Sequence, residues 1–462
     1  MDFIMRKFFL LSLAFVAILT ACTKESFAPQ GDGLQEQQSQ ERAFEEKVRA
    51  FAASNLVSLR HGRGMPLTNL PNVESLEPIV SESNLRSGSG RDTVAYIVNF
   101  EQNGSMVIAG SRMLPLTTVA ICDSRMAISD TIQDKGLATF MKLLELYYYQ
   151  EVGQRIIDFG LASAQEVANF TRNDMQQFQT ELSVYEDVPS PPSHNINLND
   201  YVTFIHAINQ AVILEKEIFL NVKWGQREPF NLYAEVMNNG ERAPAGCVAI
   251  AVGQITSYHK YPKVLEGKTL NWEILSQATA EDFDTEEEQD EIASYIRKIG
   301  DYLGNVWTIT GTHANLYSVP NALSRLGYTR GIISDYSRGL VEESLSAKLP
   351  LFIGGQSTGG GHAWVIDGYL KTSYDVLVYN NETGELVWTW TVYPSYYHCN
   401  WGADGRCNGF YRKDVFDLQH GMMYHDDGGQ YYYNPQNPDY NFSFDVKIIT
   451  GIKPKFMQIH ES

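Results

Sequence analysis

The chain has 462 residues, 44% of them hydrophobic, which exceeds what one ordinary core takes up, so two or three domains are expected. With 36 basic against 55 acidic residues the formal net charge is −19, and no basic block occurs anywhere, which excludes an extended nucleic-acid surface. The 26 tyrosines, 22 phenylalanines and 36 glycines suit antiparallel strands with tight turns as well as helices, and an α+β chain follows.

Arg6 and Lys7 precede an apolar run over residues 8–21, shorter than the roughly 20 residues a membrane-spanning helix needs, and the pattern reads as an export signal. It ends in Leu19-Thr20-Ala21-Cys22, which resembles the bacterial lipobox and implies a lipidated Cys22 as the first mature residue. The alternative is an ordinary small-residue cleavage site. Residues 22–40 are rich in Gln, Gly, Ser and Glu and read as a flexible tether from lipid to folded protein. Residues 41–59 place Phe44, Val48, Phe51, Ala52 and Leu56 at helical intervals. Asn103-Gly104 between strands at 94–100 and 105–109 predicts a hairpin, since both residues tolerate positive φ. A long helix follows over 137–157, with Leu143, Leu144, Leu146 and Tyr147 on its buried side. These elements make a small α+β unit over 41–200, and Val188-Pro189-Ser190-Pro191-Pro192-Ser193 is the best linker before a second domain at 201–462.

In the second domain a helix starts at Cys247 and ends before Tyr261-Pro262. Residues 282–291 read as an acidic, solvated loop entering an amphipathic helix that carries Ile292, Tyr295, Ile296, Ile299 and Leu303. A short helix over 319–326 precedes strands at 350–353, 363–369, 376–379, 386–392 and 409–412. Helices come first, then an antiparallel sheet.

Ala245 and Gly246 deliver Cys247 onto a helix start, where unpaired N–H groups and the helix dipole favour thiolate and bring a cysteine pKa from about 8.5 to roughly 3.5–7.5. From this stretch alone an inert buried cysteine is the alternative. A cysteine nucleophile needs a base, and His362 is the best placed of 10 histidines: it follows three glycines, which give a partner backbone close access, and opens the strand Ala363-Trp364-Val365-Ile366-Asp367. His259 lies 12 residues along the helix from Cys247, about 18 Å at a rise of 1.5 Å per residue, and cannot pair with it. His313 and His398 read as surface or packing histidines.

Gly246-Cys247-Val248-Ala249, Gln254-Ile255, Tyr258-His259-Lys260-Tyr261-Pro262, the block from Gly361 to Tyr369 and Asn400-Trp401-Gly402 together resemble the streptopain family of papain-like cysteine peptidases. The resemblance reaches Lys223-Trp224-Gly225-Gln226 and Pro229-Phe230-Asn231, and, over Tyr96-Ile97-Val98-Asn99-Phe100 and the 137–157 helix, the family's inhibitory prodomain. It implies a papain-like catalytic domain, a helical part against an antiparallel sheet, preceded by a small α+β prodomain that is the chain's own inhibitor. Cys247 would attack the scissile carbonyl of a protein or peptide, with His362 as base and then acid. Gln226 would help the Cys247 N–H bind the oxyanion, the alternative being a surface turn residue. Asn400 would orient the imidazole and Trp401 would shield that contact. No metal or organic cofactor is implied. The family generally reads Asn-Trp-Gly-Trp where this chain has Ala403, and Cys399 and Cys407, which flank the loop, are either a disulfide or two thiols. The rival readings are a papain-fold amidase or acyltransferase and an inert surface binding protein.

Overall fold

The computed structural model describes residues 33–61, 71–80, 93–101, 104–130, 135–167, 205–208, 211–309, 311–357, 360–380, 382–416 and 445–460, with short pieces at 170, 174–175, 177–185, 188, 422–424 and 430–432. The export signal, Cys22, Asn103 and the linker residues 189–193 lie outside the described residues. Met1–Glu46 and Lys47–Ser462 are two compact units. Helix α1 (Gly33–His61) starts at Gly33 rather than at 41, so the last part of the expected tether is helical. The Gln- and Glu-rich composition that denies this stretch a core also carries good helix propensity. Within the second unit Val48, Ala52 and Leu56, four residues apart, are buried as one face.

Strands β1 (Val73–Val80), β2 (Thr93–Phe100), β3 (Ser105–Ser111) and β4 (Leu114–Cys122) form an antiparallel meander. The predicted hairpin joins β2 to β3, where the Phe100 N–H donates to Gly104 O at 3.1 Å and Gly104 takes φ 74°. Helix α2 (Lys135–Asp158) lies across the sheet and buries Leu137, Phe140, Leu143, Leu144, Tyr147 and Tyr148.

Next come β5 (Ile205–Ile208), β6 (Val212–Ile218), α3 (Cys247–His259), α4 (Glu286–Leu303), α5 (Val319–Arg325), β7 (Ile332–Asp335) and α6 (Arg338–Ser346). The chain continues through β8 (Leu351–Ser357), β9 (Gly360–Tyr379), β10 (Leu386–Val392), β11 (Ser395–Asn400), β12 (Gly409–Arg412) and β13 (Asp445–Thr450). The acidic stretch expected as a loop is instead, from Glu286 on, the first turns of α4. Thr285 and Glu288 form a capping box, and Glu286, Glu287 and Glu288 sit at the positive end of the helix dipole. The strands expected at 363–369 and 376–379 are one strand of 20 residues, β9, because β6 pairs with the polar stretch between them.

All 13 strands named here belong to one sheet, in the order β1-β2-β3-β4-β12-β11-β9-β8-β13-β7, with β5, β6 and β10 also paired to β9. The N-terminal meander is joined to the C-terminal strands by the pairing of β4 with β12, Gly409 opposite Cys122 and Tyr411 opposite Ala120. Side chains alternate along the central strands. Phe352, Ala363, Val365 and Ile449 enter one core with α3, α4 and α5, whereas Leu351, Ile353, Trp364, Ile366 and Ile448 enter a second core with α2 and the meander. The sheet is therefore covered on both faces, and His362 stands where β9 passes between the two cores.

Candidate active site

Cys247 is the first residue of α3, and its approach is held from several sides. The Ala245 N–H donates to Gln226 O at 2.9 Å, Thr312 Oγ1 donates to Pro244 O at 2.6 Å, Asn305 Nδ2 to Ala245 O at 3.3 Å, and Asn231 Nδ2 to Ala243 O at 3.0 Å. Gly246 takes φ 99°, and a Cβ there would lie 3.1 Å from Thr312 Cγ2, so only glycine turns this corner freely. Gly246 offers no side chain to cap α3, which leaves the first-turn N–H groups facing the sulfur.

Burial alone would raise the Cys247 pKa. The charge and hydrogen bond of His362 and the N–H groups of Ala363 and Val248 oppose it, and they prevail, so the pKa falls below the ordinary thiol value. The pair supports a thiolate–imidazolium couple. His362 is 7% exposed, and its Nε2 lies 2.8 Å from Trp401 O. A carbonyl only accepts, so Nε2 carries the proton in this contact and Nδ1 is left for the thiol.

The group that orients the imidazole is thus the Trp401 main-chain carbonyl, not the Asn400 amide. Asn400 Nδ2 donates to Val222 O at 2.6 Å, and Asn400 Oδ1 accepts from the Gly402 N–H at 3.3 Å. A buried carbonyl and a buried N–H claim the amide, which ties the loop after β11 to the entry of the helical half. The Trp401 ring is fully buried, donates from Nε1 to Cys407 O at 3.1 Å and packs at 5.0 Å on both Trp364 and Tyr411. Ala403 is partly buried against this core. The structure has no disulfide between Cys399 and Cys407. Burial pushes Cys399 well above the usual thiol range and Cys122 up to about 12, so neither resembles Cys247 in reactivity.

Gln226 is half-buried beside this centre, fixed through its carbonyl to Ala245, and its side-chain amide has no hydrogen bond among the described residues. It is free to donate to an oxyanion next to the Cys247 N–H. Gln254, buried on α3, accepts from the Trp224 N–H at 3.3 Å and so positions the Trp224–Gln226 strip. His259 ends the same helix, His313 is exposed on a two-stranded ribbon, and His398 is buried with Nδ1 2.6 Å from Asp367 Oδ1; none joins the site. Among the described residues no group of three or more His, Cys, Asp or Glu could hold a metal ion.

One participant has no sequence signal at all. Gly136, in the first turn of α2, sits on the His362 imidazole: a Cβ there would be 2.5 Å from His362 Cδ2 and 2.6 Å from Trp401 Cε3. Thr139, one turn on, packs near Gly355 and the Trp364 ring. The N-terminal region therefore covers His362 directly.

Residues 224–411 match the model of the Peptidase C10 family. Streptopain of Streptococcus pyogenes is 23% identical over 254 residues, 46% of this chain and 58% of that one. The thiol protease/hemagglutinin PrtT of Porphyromonas gingivalis is 21% identical over 262 residues, 50% of this chain and 26% of that one. The chain thus spans less than two thirds of either relative's length. Among solved structures, a fragment of prointerpain A from Prevotella intermedia superposes with a TM-score of 0.47 at 16% identity, covering 82% of this chain and 99% of that one.

Proposed function

We propose that the chain is a cysteine endopeptidase made as an exported precursor, with residues 41–200 as its inhibitory prodomain and 201–462 as its catalytic domain. The observation that carries this reading is the Cys247–His362 pair: a thiol whose pKa is lowered at a helix N-terminus, beside an imidazole whose far nitrogen is fixed on a carbonyl. Cys247 attacks the scissile carbonyl, the Gln226 amide and the Cys247 N–H hold the developing oxyanion, and His362 gives its proton to the leaving nitrogen. Water then cleaves the thioester with His362 as base. The thiol protease name of one relative, PrtT, supports the reaction class. The α2 contact through Gly136 supports an inhibitory role for the N-terminal half.

The experiment is to purify the chain without residues 1–22 and follow its own processing and its hydrolysis of casein, with Cys247→Ala and His362→Ala as controls. Processing and turnover in the parent and neither in the variants is the expected result. Turnover in either variant would remove the assignment, and hydrolysis of simple amides but not proteins would favour an amidase. For the export reading, Cys22 is the lipidated residue; an unmodified mature N-terminus by mass spectrometry would refute it.

A further inference from the structure

In the acylation step the leaving nitrogen takes a proton from His362 while the oxyanion lies on Gln226, so the leaving-group half of the substrate departs between these two side chains. The loop after β11 spans that interval. Trp401 holds His362, Gly402 packs near Ile250 of α3, and the Asp404 N–H donates to Trp224 O at 3.2 Å. Asp404 then lays its carboxylate on Gly225, one residue before Gln226, so closely that a Cβ on Gly225 would overlap it. Asp404 takes φ 56°, a left-handed turn that aspartate tolerates better than most residues and that brings the side chain back over the Gln226 strip.

Asp404 is an exposed residue whose carboxylate is covered on the Gly225 side, and this carboxylate has neither a hydrogen bond nor an ion pair with any side chain among the described residues. Two cations are near without bonding to it. Arg406 donates from Nε to Ala403 O at 3.2 Å, and the Lys223 stem packs beneath Gly405. Ala403, the residue before Asp404, carries only a methyl group that packs against the core, so no bulky side chain at that position stands before the acid.

We infer that Asp404 selects substrates with a lysine or arginine among the first two residues after the scissile bond. The inference rests on the peptidase reading above and names the substrate feature that the leaving-group side recognises. Partial burial raises the Asp404 pKa against the pull of Arg406, with Glu281 adding to the rise, so the local surroundings under-compensate its charge. A cation from the substrate completes that compensation.

The test uses the self-processed enzyme, with its active sites titrated by a thiol-reactive peptide probe. Internally quenched peptides share one acyl half and differ only in Lys, Gln or Glu at the two positions after the cut. The parent should favour Lys over Glu in kcat/KM by about three- to tenfold, as expected of a charge pair near the surface. Asp404→Asn, which keeps the shape and the left-handed preference, should bring the ratio close to one, and Asp404→Lys should invert it. A parent without preference, or a ratio unmoved by both substitutions, overturns the assignment of Asp404 and leaves the peptidase reading intact. If the probe labels Cys247 but no peptide is cleaved, the peptidase reading fails and this inference falls with it.

Discussion

Replacing Gly136 by alanine tests whether α2 is the element that keeps the precursor silent. The added methyl would lie 2.5 Å from His362 Cδ2 and 2.6 Å from Trp401 Cε3, and neither neighbour is a flexible side-chain end: both rings are buried, and Trp401 is wedged between Trp364 and Tyr411. Overpacking of this kind costs about 1–3 kcal/mol. Alanine recovers about 0.5–1 kcal/mol through helix propensity, less in a first turn, so a net penalty of about 1–2 kcal/mol falls on the docked state. That penalty raises the fraction of molecules with α2 lifted about five- to thirtyfold. The rate at which a thiol-reactive peptide probe labels Cys247 in the uncut precursor reads this fraction, and should rise by the same factor. After processing, the variant and parent enzymes should be indistinguishable, because residue 136 is then gone. A labelling rate equal to or below the parent's would refute the idea that this contact restrains the site.

Gln226→Ala should lower kcat by about 100- to 1,000-fold with little change in KM, since an oxyanion donor acts in the transition state; a loss confined to KM would make Gln226 a binding residue. Asn400→Ala should cost about 1–3 kcal/mol of stability by leaving the Val222 carbonyl unsatisfied, visible as a lower Tm, while the pH dependence of activity stays where it is. A shifted pH profile would show that Asn400 tunes His362 after all. Cys247 should be alkylated selectively and remain reactive well below pH 8.5, its labelling falling only as pH drops through its lowered pKa, while Cys122 and Cys399 stay unlabelled in the folded protein. The sign for stability is the same: the thiolate contribution is present above the unfolded-state value and is lost as pH falls through the folded one.

The candidate nucleophile Cys247 and candidate base His362, which the structure brings together, carry local signals: small residues before a helix start, and glycines before an apolar strand. The orienting group was not. Asn400 and Trp401 are adjacent, and sequence cannot say whether a side-chain amide or the next carbonyl faces the imidazole; the unmet carbonyl of Val222, 178 residues away in the chain, decides it by taking the amide. Strands β1 and β4 were missed because Pro78 and Pro115 interrupt them; β1 is an edge strand and Pro115 is the second residue of β4, positions where a missing N–H is tolerated. The β4–β12 pairing joins residues nearly 300 apart and has no local mark. The Gly136 contact is of the same kind.

This non-local join bears on activation. Trp364, Trp401 and Tyr411 are fully buried, and they share a core with Leu137, Phe140 and Leu144 of α2. Lifting the N-terminal half would also break the β4–β12 pairing and separate Tyr411 from Phe140, whose rings stand 4.7 Å apart. Returning one such aromatic to water costs about 1.5–3 kcal/mol, so three of them already outweigh the chain entropy released by one cut. A nick at residues 189–193 should therefore leave the two halves associated and the enzyme inhibited. Full activity should appear only when the N-terminal half is itself degraded or dissociated by denaturant. The check is to cut the Cys247→Ala precursor in this stretch with an added protease and run it on a sizing column beside the uncut chain, then repeat with the parent and record activity at each stage. Co-elution of both fragments without activity is expected. Separation of the fragments on cutting alone, with full activity at once, would show that the shared core does not hold them.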